Sequence, residues 1–148
     1  MKEFVYLDNA ATTKVRPEVV EAMLPYFTEI YGNASALYVF GQECKVGSGG
    51  DRETIGSSIG TRASNIYFTA GGSESDNWAL KGVAEVYKDK GKHIITTKIE
   101  HHAILHTCAY LEQQGYEVTY LDVDADGLVS PEDVKKARVV SFDIFIPS

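Results

Sequence analysis

Phe68-Thr69-Ala70-Gly71-Gly72-Ser73-Glu74-Ser75-Asp76-Asn77 joins a strand-like segment to a helix-like one. Before it, Asn65-Ile66-Tyr67-Phe68-Thr69 carries the β-branched and aromatic residues of a strand. After it, Trp78, Leu80, Val83, Ala84, Val86 and Tyr87 supply the apolar positions of a helix over 74–90. A strand that turns through two glycines and a serine into a helix makes a phosphate cradle. The first-turn N–H groups lack intrahelical partners, the dipole favours an anion, and glycine admits close approach of the backbone. The same residues also suit a plain strand-to-helix turn with Ser73 as N-cap.

Outward from this turn the pattern alternates. Gly91 stands as a helix stop, His93 to Thr97 as a strand, and 101–114 as a helix ended by Gly115. Tyr116 to Leu121 reads as a strand, 131–137 as a short helix and Val139 to Ile146 as a last apolar strand. Such alternation implies βαβ units and a mainly parallel sheet covered on both faces, an α/β fold. Upstream, Val5-Tyr6-Leu7 is strand-like, and Pro17 opens a helix that Val19 or Val20, Met23, Phe27 and Ile30 carry to Tyr31. Residues 42–62 contain Gly47-Ser48-Gly49-Gly50 and Gly56-Ser57-Ser58. Each interior glycine costs about 1 kcal/mol relative to alanine, so an irregular or mobile stretch is expected there.

The chain of 148 residues is one domain's worth, with 44% apolar and 24% charged residues. A net charge of −7 without a basic stretch argues against a nucleic-acid partner. Cys44 and Cys108 lack metal-type spacing and suit reduced thiols. No signal-like start and no membrane-length apolar run occur, so a soluble, cytoplasmic protein with no membrane partner is expected.

Two further clusters bear on chemistry. Glu100-His101-His102-Ala103-Ile104-Leu105-His106 follows a strand, at the edge where α/β proteins keep their ligands. His102 and His106, at i and i+4, suit a metal only with a third ligand, and surface histidines are the plain alternative. His101 occupies the topological position of Ser73 one unit later, so cradle and imidazole would share a pocket. Asp122 to Asp133 places Asp at loop positions one, three and five, Gly at six and a carboxylate at twelve, as a calcium-binding EF-hand loop does. A strand-like segment precedes it, however, where an EF-hand needs a helix. Asp126-Gly127 as a turn, Ser130 as N-cap and Pro131 at the first helical position explain the same residues. Gly47-Ser48-Gly49-Gly50 fits no nucleotide-loop pattern.

Taken in order, Tyr6 to Thr13, Tyr31-Gly32-Asn33, Ile66 to Asn77, Gly91 to His101 and Gly115 to Val129 resemble the N-terminal part of cysteine desulfurases. These are pyridoxal-phosphate (PLP) enzymes of the class V aminotransferase group. The resemblance covers residues 1 to about 137 and is specific because the stretches keep the family's order and spacing. It implies an incomplete PLP-dependent transferase type I large domain, aspartate-aminotransferase-like, with three αβα layers. Residues 1–15 would belong with the small domain, and 16–148 would form a truncated PLP-binding large domain. By the resemblance, Gly72 and Ser73 hold the cofactor phosphate and His101 stacks on the pyridine ring and carries a proton. Asn33 would lie near the active-site mouth.

The implied activity is sulfur transfer from L-cysteine, giving alanine and an enzyme persulfide for an iron–sulfur scaffold protein, in a homodimer. Departures from the family pattern are Ala34, Tyr38, the glycine run at 47–50 and the segment 138–148. The Schiff-base lysine and the persulfide cysteine of the family have no counterpart here, and Cys44 and Cys108 match neither place nor context of that cysteine. A truncated protein inactive alone is therefore expected, with PLP held weakly if at all. Rival readings are a non-catalytic or poorly folded remnant, a selenocysteine lyase or other class V aminotransferase, and a calcium-binding loop protein through Asp122–Asp133.

Overall fold

The computed structural model describes residues 4–138 and the backbone of 143–145. Contacts divide the chain into two compact units, Met1–Tyr67 and Phe68–Ser148. This division falls at the start of the quoted turn.

In the first unit Pro17 opens α1 (Pro17–Met23) at a position whose N–H has no helical partner anyway. The single helix expected to Tyr31 is instead two, because Pro25 has no N–H to continue the ladder and starts α2 (Pro25–Thr28). The expected irregular stretch at 42–62 is also corrected: α3 (Val39–Ser58) runs unbroken through Gly47–Gly50 for 20 residues. Propensity is a weak prior, and close packing overrides it at the ends of this helix. A Cβ on the buried Gly41 would lie 2.6 Å from the Asn33 carbonyl oxygen, and one on Gly56 2.9 Å from that of Thr61. Ser48, Thr54 and Ser58 return their hydroxyls to the carbonyls of Lys45, Gly50 and Ile55.

The strand expected at 65–69 does not form. Ala63–Asn65 is a 3-10 turn, and Ile66 is extended (φ −94°, ψ 125°) but enters no sheet among the described residues. The Ile66 carbonyl instead accepts from the Arg52 guanidinium. Strand character needs a neighbouring strand to pair with, and pairing is not a local property.

The second unit runs α4 (Gly72–Tyr87), β1 (His93–Thr97), α5 (His102–Gln113), β2 (Glu117–Leu121), α6 (Pro131–Ala137) and β3 (Asp143–Phe145). These elements match the expected alternation. Of the expected strand Val139–Ile146, residues 139–142 and 146 lie outside the described residues. α4 ends before Gly91, which is not in the left-handed region. The sheet order is β2-β1-β3, all parallel, with Ile94 opposite Val118 on one side and Ile144 on the other. Every residue of the central strand is buried, as expected of a parallel strand flanked on both sides.

Ile94 packs with Leu80 and Ala84 of α4 and with Ile104, Cys108 and Leu111 of α5. The spacings 80/84 and 104/108/111 put these side chains on one stripe of each helix. Tyr116 adds a tie, its hydroxyl donating to the Ala84 carbonyl at 2.6 Å. Gly115 (φ 84°) ends α5 as expected. Its N–H donates to Glu112 O at 3.0 Å and that of Tyr116 to Leu111 O at 3.1 Å, a Schellman closure. No helix among the described residues is long and apolar enough to cross a membrane.

Candidate functional site

The quoted turn leads into α4 with Gly71, not Ser73, as N-cap. The Gly71 carbonyl accepts the N–H groups of Glu74 and Ser75 at 3.1 and 3.2 Å. Ser73 therefore sits inside the first turn, and its hydroxyl has no hydrogen-bond partner among the described residues. The N–H groups of Gly72 and Ser73 are first-turn donors with no carbonyl behind them. Two contacts pin the turn: Thr69 Oγ1 lies 2.6 Å from Ser75 Oγ, and the Ala70 N–H donates to Glu74 Oε2 at 2.6 Å. A Cβ added at Gly71 or Gly72 would meet nothing within 4 Å, so the space over the turn is open. Free donors, a free hydroxyl and open space are what a phosphate group requires.

His101 caps α5. Its Nδ1 accepts from the Ala103 N–H at 3.1 Å, so the neutral ring, by this assignment, carries its proton on Nε2. The loop from β1 to α5 is braced by Thr97 Oγ1 donating to Glu100 Oε1 at 3.1 Å. It is also tied to the end of β2 by Lys98 Nζ on Asp122 Oδ1 at 2.7 Å.

Ser73 and His101, expected from the sequence to share a pocket, line one open cleft of about 480 Å³ between α4 and α5. Lys81, His102, His106 and Tyr110 line it too. Lys81 and Tyr110 escaped sequence reasoning because they belong to no motif. Their only signal is spacing, since 73, 77 and 81 repeat every four residues on α4, as 102, 106 and 110 do on α5. Asn33 belongs to the other compact unit, where its Oδ1 accepts from the Ser35 N–H at 2.9 Å.

The remaining candidates resolve on geometry. The His102 and His106 rings stack with centroids 5.4 Å apart, and no group of three potential metal ligands occurs among the described residues. In the calcium-like loop, Asp122 pairs with Lys98 and Asp133 with Lys136, while Asp124 Oδ1 accepts from the N–H groups of Asp126 and Leu128. Strand β2 precedes it, and Ser130 caps α6 as the turn-and-cap reading requires. Cys108 has no exposed surface, and burial, reinforced by the charges of Glu112 and Glu100, pushes its thiol up to about 11. A thiol held neutral in a core is a poor nucleophile.

The family model of class-V aminotransferases matches residues 5–143. The chain belongs to the class-V aminotransferase family. Within it, the chain is similar to a cysteine desulfurase IscS of Methanosarcina thermophila, 58% identical over 133 residues, which are 90% of this chain and 33% of that one. It is also 55% identical to a cysteine desulfurase IscS of Clostridium botulinum over 93% of this chain and 34% of the relative. The chain thus spans about a third of the length of the curated relatives it matches. Among solved structures, a NifS-like protein superposes with a TM-score of 0.86 at 41% identity, covering 89% of this chain and 36% of that one. The structure titled SspA in complex with cysteine gives 0.86 at 38%, covering 91% and 39%. With that likeness, this class-V chain has the αβα fold of the PLP-dependent type I transferases, incomplete in these residues.

Proposed function

We propose that Gly72, Ser73 and His101 form the phosphate-and-ring corner of a PLP site in a cysteine desulfurase. The carrying observation is the convergence of Ser73 and His101 on one cleft, with the Ser73 hydroxyl and the open turn beside it unclaimed by the protein. The N–H groups of Gly72 and Ser73 and the Ser73 hydroxyl would donate to the phosphate, with the positive end of α4 behind them. His101, fixed by its cap bond, would present its ring to the pyridine and hold a proton at Nε2. When bound, the cofactor supplies the electron sink for chemistry on L-cysteine.

At the level of the whole protein the reading is PLP-dependent transfer of sulfur from L-cysteine to an iron–sulfur scaffold by a cytoplasmic homodimer. In it Asn33 lies near the substrate, residues 1–15 belong with a small domain and 16–148 with the large domain. The relatives' names and the structure bound to cysteine support it. These 148 residues alone are proposed to lack turnover. Cys108 is buried and held neutral, Cys44 is half-buried, and no lysine here matches the family's cofactor-bearing motif.

Comparing the binding of PLP and pyridoxal to the purified chain tests the site. Preference for the phosphorylated form supports the corner, and equal affinity removes it. Alanine release from cysteine above the rate with PLP alone would overturn the proposed lack of turnover.

A further inference from the structure

The two ends of α3 are held by different parts of the chain. Its N-terminal turns are clasped by the loop 31–36. The Tyr31 and Phe40 rings meet edge-on with centroids 5.1 Å apart, and Gln42 Nε2 donates to the Ala36 carbonyl. Gly41 lies so close to Asn33 that a Cβ would stand 2.6 Å from its carbonyl oxygen. The C-terminal turns are clasped by the segment 61–66. There the Arg52 guanidinium donates to the Ile66 carbonyl, and the Thr61 N–H donates to the Gly56 carbonyl at 2.8 Å.

Between the clasps lies Gly47-Ser48-Gly49-Gly50. A Cβ on Gly47 would first meet the Tyr26 hydroxyl, at 3.3 Å, and one on Gly49 or Gly50 would meet nothing outside its own helical turn within 4 Å. Side-chain support stops on either side of the run. Ser48 Oγ reaches back to the Lys45 carbonyl at 3.1 Å and Thr54 Oγ1 to that of Gly50 at 3.0 Å, so neither bond spans the step from 48 to 50. Such back-bonding weakens and bends helices, and paired glycine and serine are where helices kink. An open groove of about 640 Å³ adjoins the run, lined by Val19, Met23, Tyr26 and Phe27 with Asp51 from α3, which gives the helix room to bend.

We propose that residues 47–50 are a hinge within the formed helix. The piece 39–46 moves with the loop 31–36, while the piece 51–58 stays with the segment 61–66 that leads into the glycine–serine turn. The hinge stands on these contacts and does not depend on the cofactor reading. Under that reading, the moving piece is the one that carries Asn33.

Hydrogen exchange of the purified chain, read amide by amide by NMR, tests the joint. The amides of 50–53, whose helical bonds reach back to the carbonyls of 46–49, should exchange at least about tenfold faster than those of 43–45 and 55–57. A helix that frays from its ends gives the opposite profile, with protection highest in the middle. In the double variant Gly49→Ala/Gly50→Ala, alanine fits without a clash and neither position has a positive φ. It should slow exchange of 50–53 by roughly 25-fold, about fivefold for each glycine. Nitroxides on Glu43→Cys and Ser57→Cys, in a chain with Cys44→Ser and with Cys108 buried, read the bend directly. Their distances should spread well below the straight-helix value of about 21 Å and narrow towards it in the alanine variant. Protection that is uniform or highest at mid-helix, exchange of 50–53 that the alanines do not slow, or a single narrow distance in the unsubstituted run would each overturn the hinge.

Discussion

Replacing Ser73 by alanine should weaken phosphate binding without weakening the fold. The hydroxyl bonds to nothing among the described residues, the residue is exposed, and it lies in the first turn of α4 after the Gly71 cap. Alanine is the better helix former, so the change in stability should stay within about 0.5 kcal/mol. A hydrogen bond to a charged group contributes about 1.5–3 kcal/mol. At about 1.4 kcal/mol per decade, its loss weakens binding roughly 10- to 150-fold. The assay is the ratio of dissociation constants for pyridoxal and PLP, in which the ring's contribution cancels. Urea denaturation of the same samples reports stability. Ser73→Thr, which keeps a hydroxyl at the same place, should preserve most of the ratio. An unchanged ratio in Ser73→Ala refutes the assignment of Ser73, as does a loss of stability as large as the loss of binding.

His101→Asn should keep the cap of α5, because asparagine accepts the same first-turn N–H, and lose the ring's contribution to cofactor binding. His101→Ala should also cost about 1 kcal/mol in urea denaturation. Gly115→Ala places a side chain at φ 84° and should destabilise the chain by about 1–2 kcal/mol, read as a lower denaturation midpoint. Cys108 should resist thiol reagents in the native state and react once urea unfolds the chain, as followed by mass spectrometry. Its folded value of about 11 lies above the ordinary thiol value of 9.0, so the folded state holds the proton longer. Its stabilising contribution is full below pH 9 and is lost as the pH rises towards 11. Cys108→Ala should flatten that part of the stability–pH curve. Tyr120, raised to about 12 by burial and by Glu112, leaves a residual slope above it.

Elements with strong local signals were legible. Alternating strands and helices from 93 to 137, the stop at Gly115 and the Ser130-Pro131 start all appear where the residues point. The strand before the calcium-like spacing and the Ser130 cap after it were legible, because both are local features. What failed were inferences that local chemistry does not control. The glycines at 47–50 suggested a break, but α3 holds across them, and Gly41 and Gly56 sit where a Cβ would meet backbone. Residues 65–69 have strand composition without a strand to pair with. Ser73 looked like a cap, yet Gly71 occupies that position and leaves the serine hydroxyl free for a ligand.

The sequence by itself determined the α/β class and the family, and it pointed to Gly72, Ser73 and His101 as the residues of the proposed site, because motif order and helix signals are properties of the linear chain. Only the tertiary structure decided that Ser73 and His101 share a cleft with Lys81, His106 and Tyr110. The packing of α4 against α5 over Ile94 sets those side chains side by side, and spacing along one helix cannot report what the next helix brings to it.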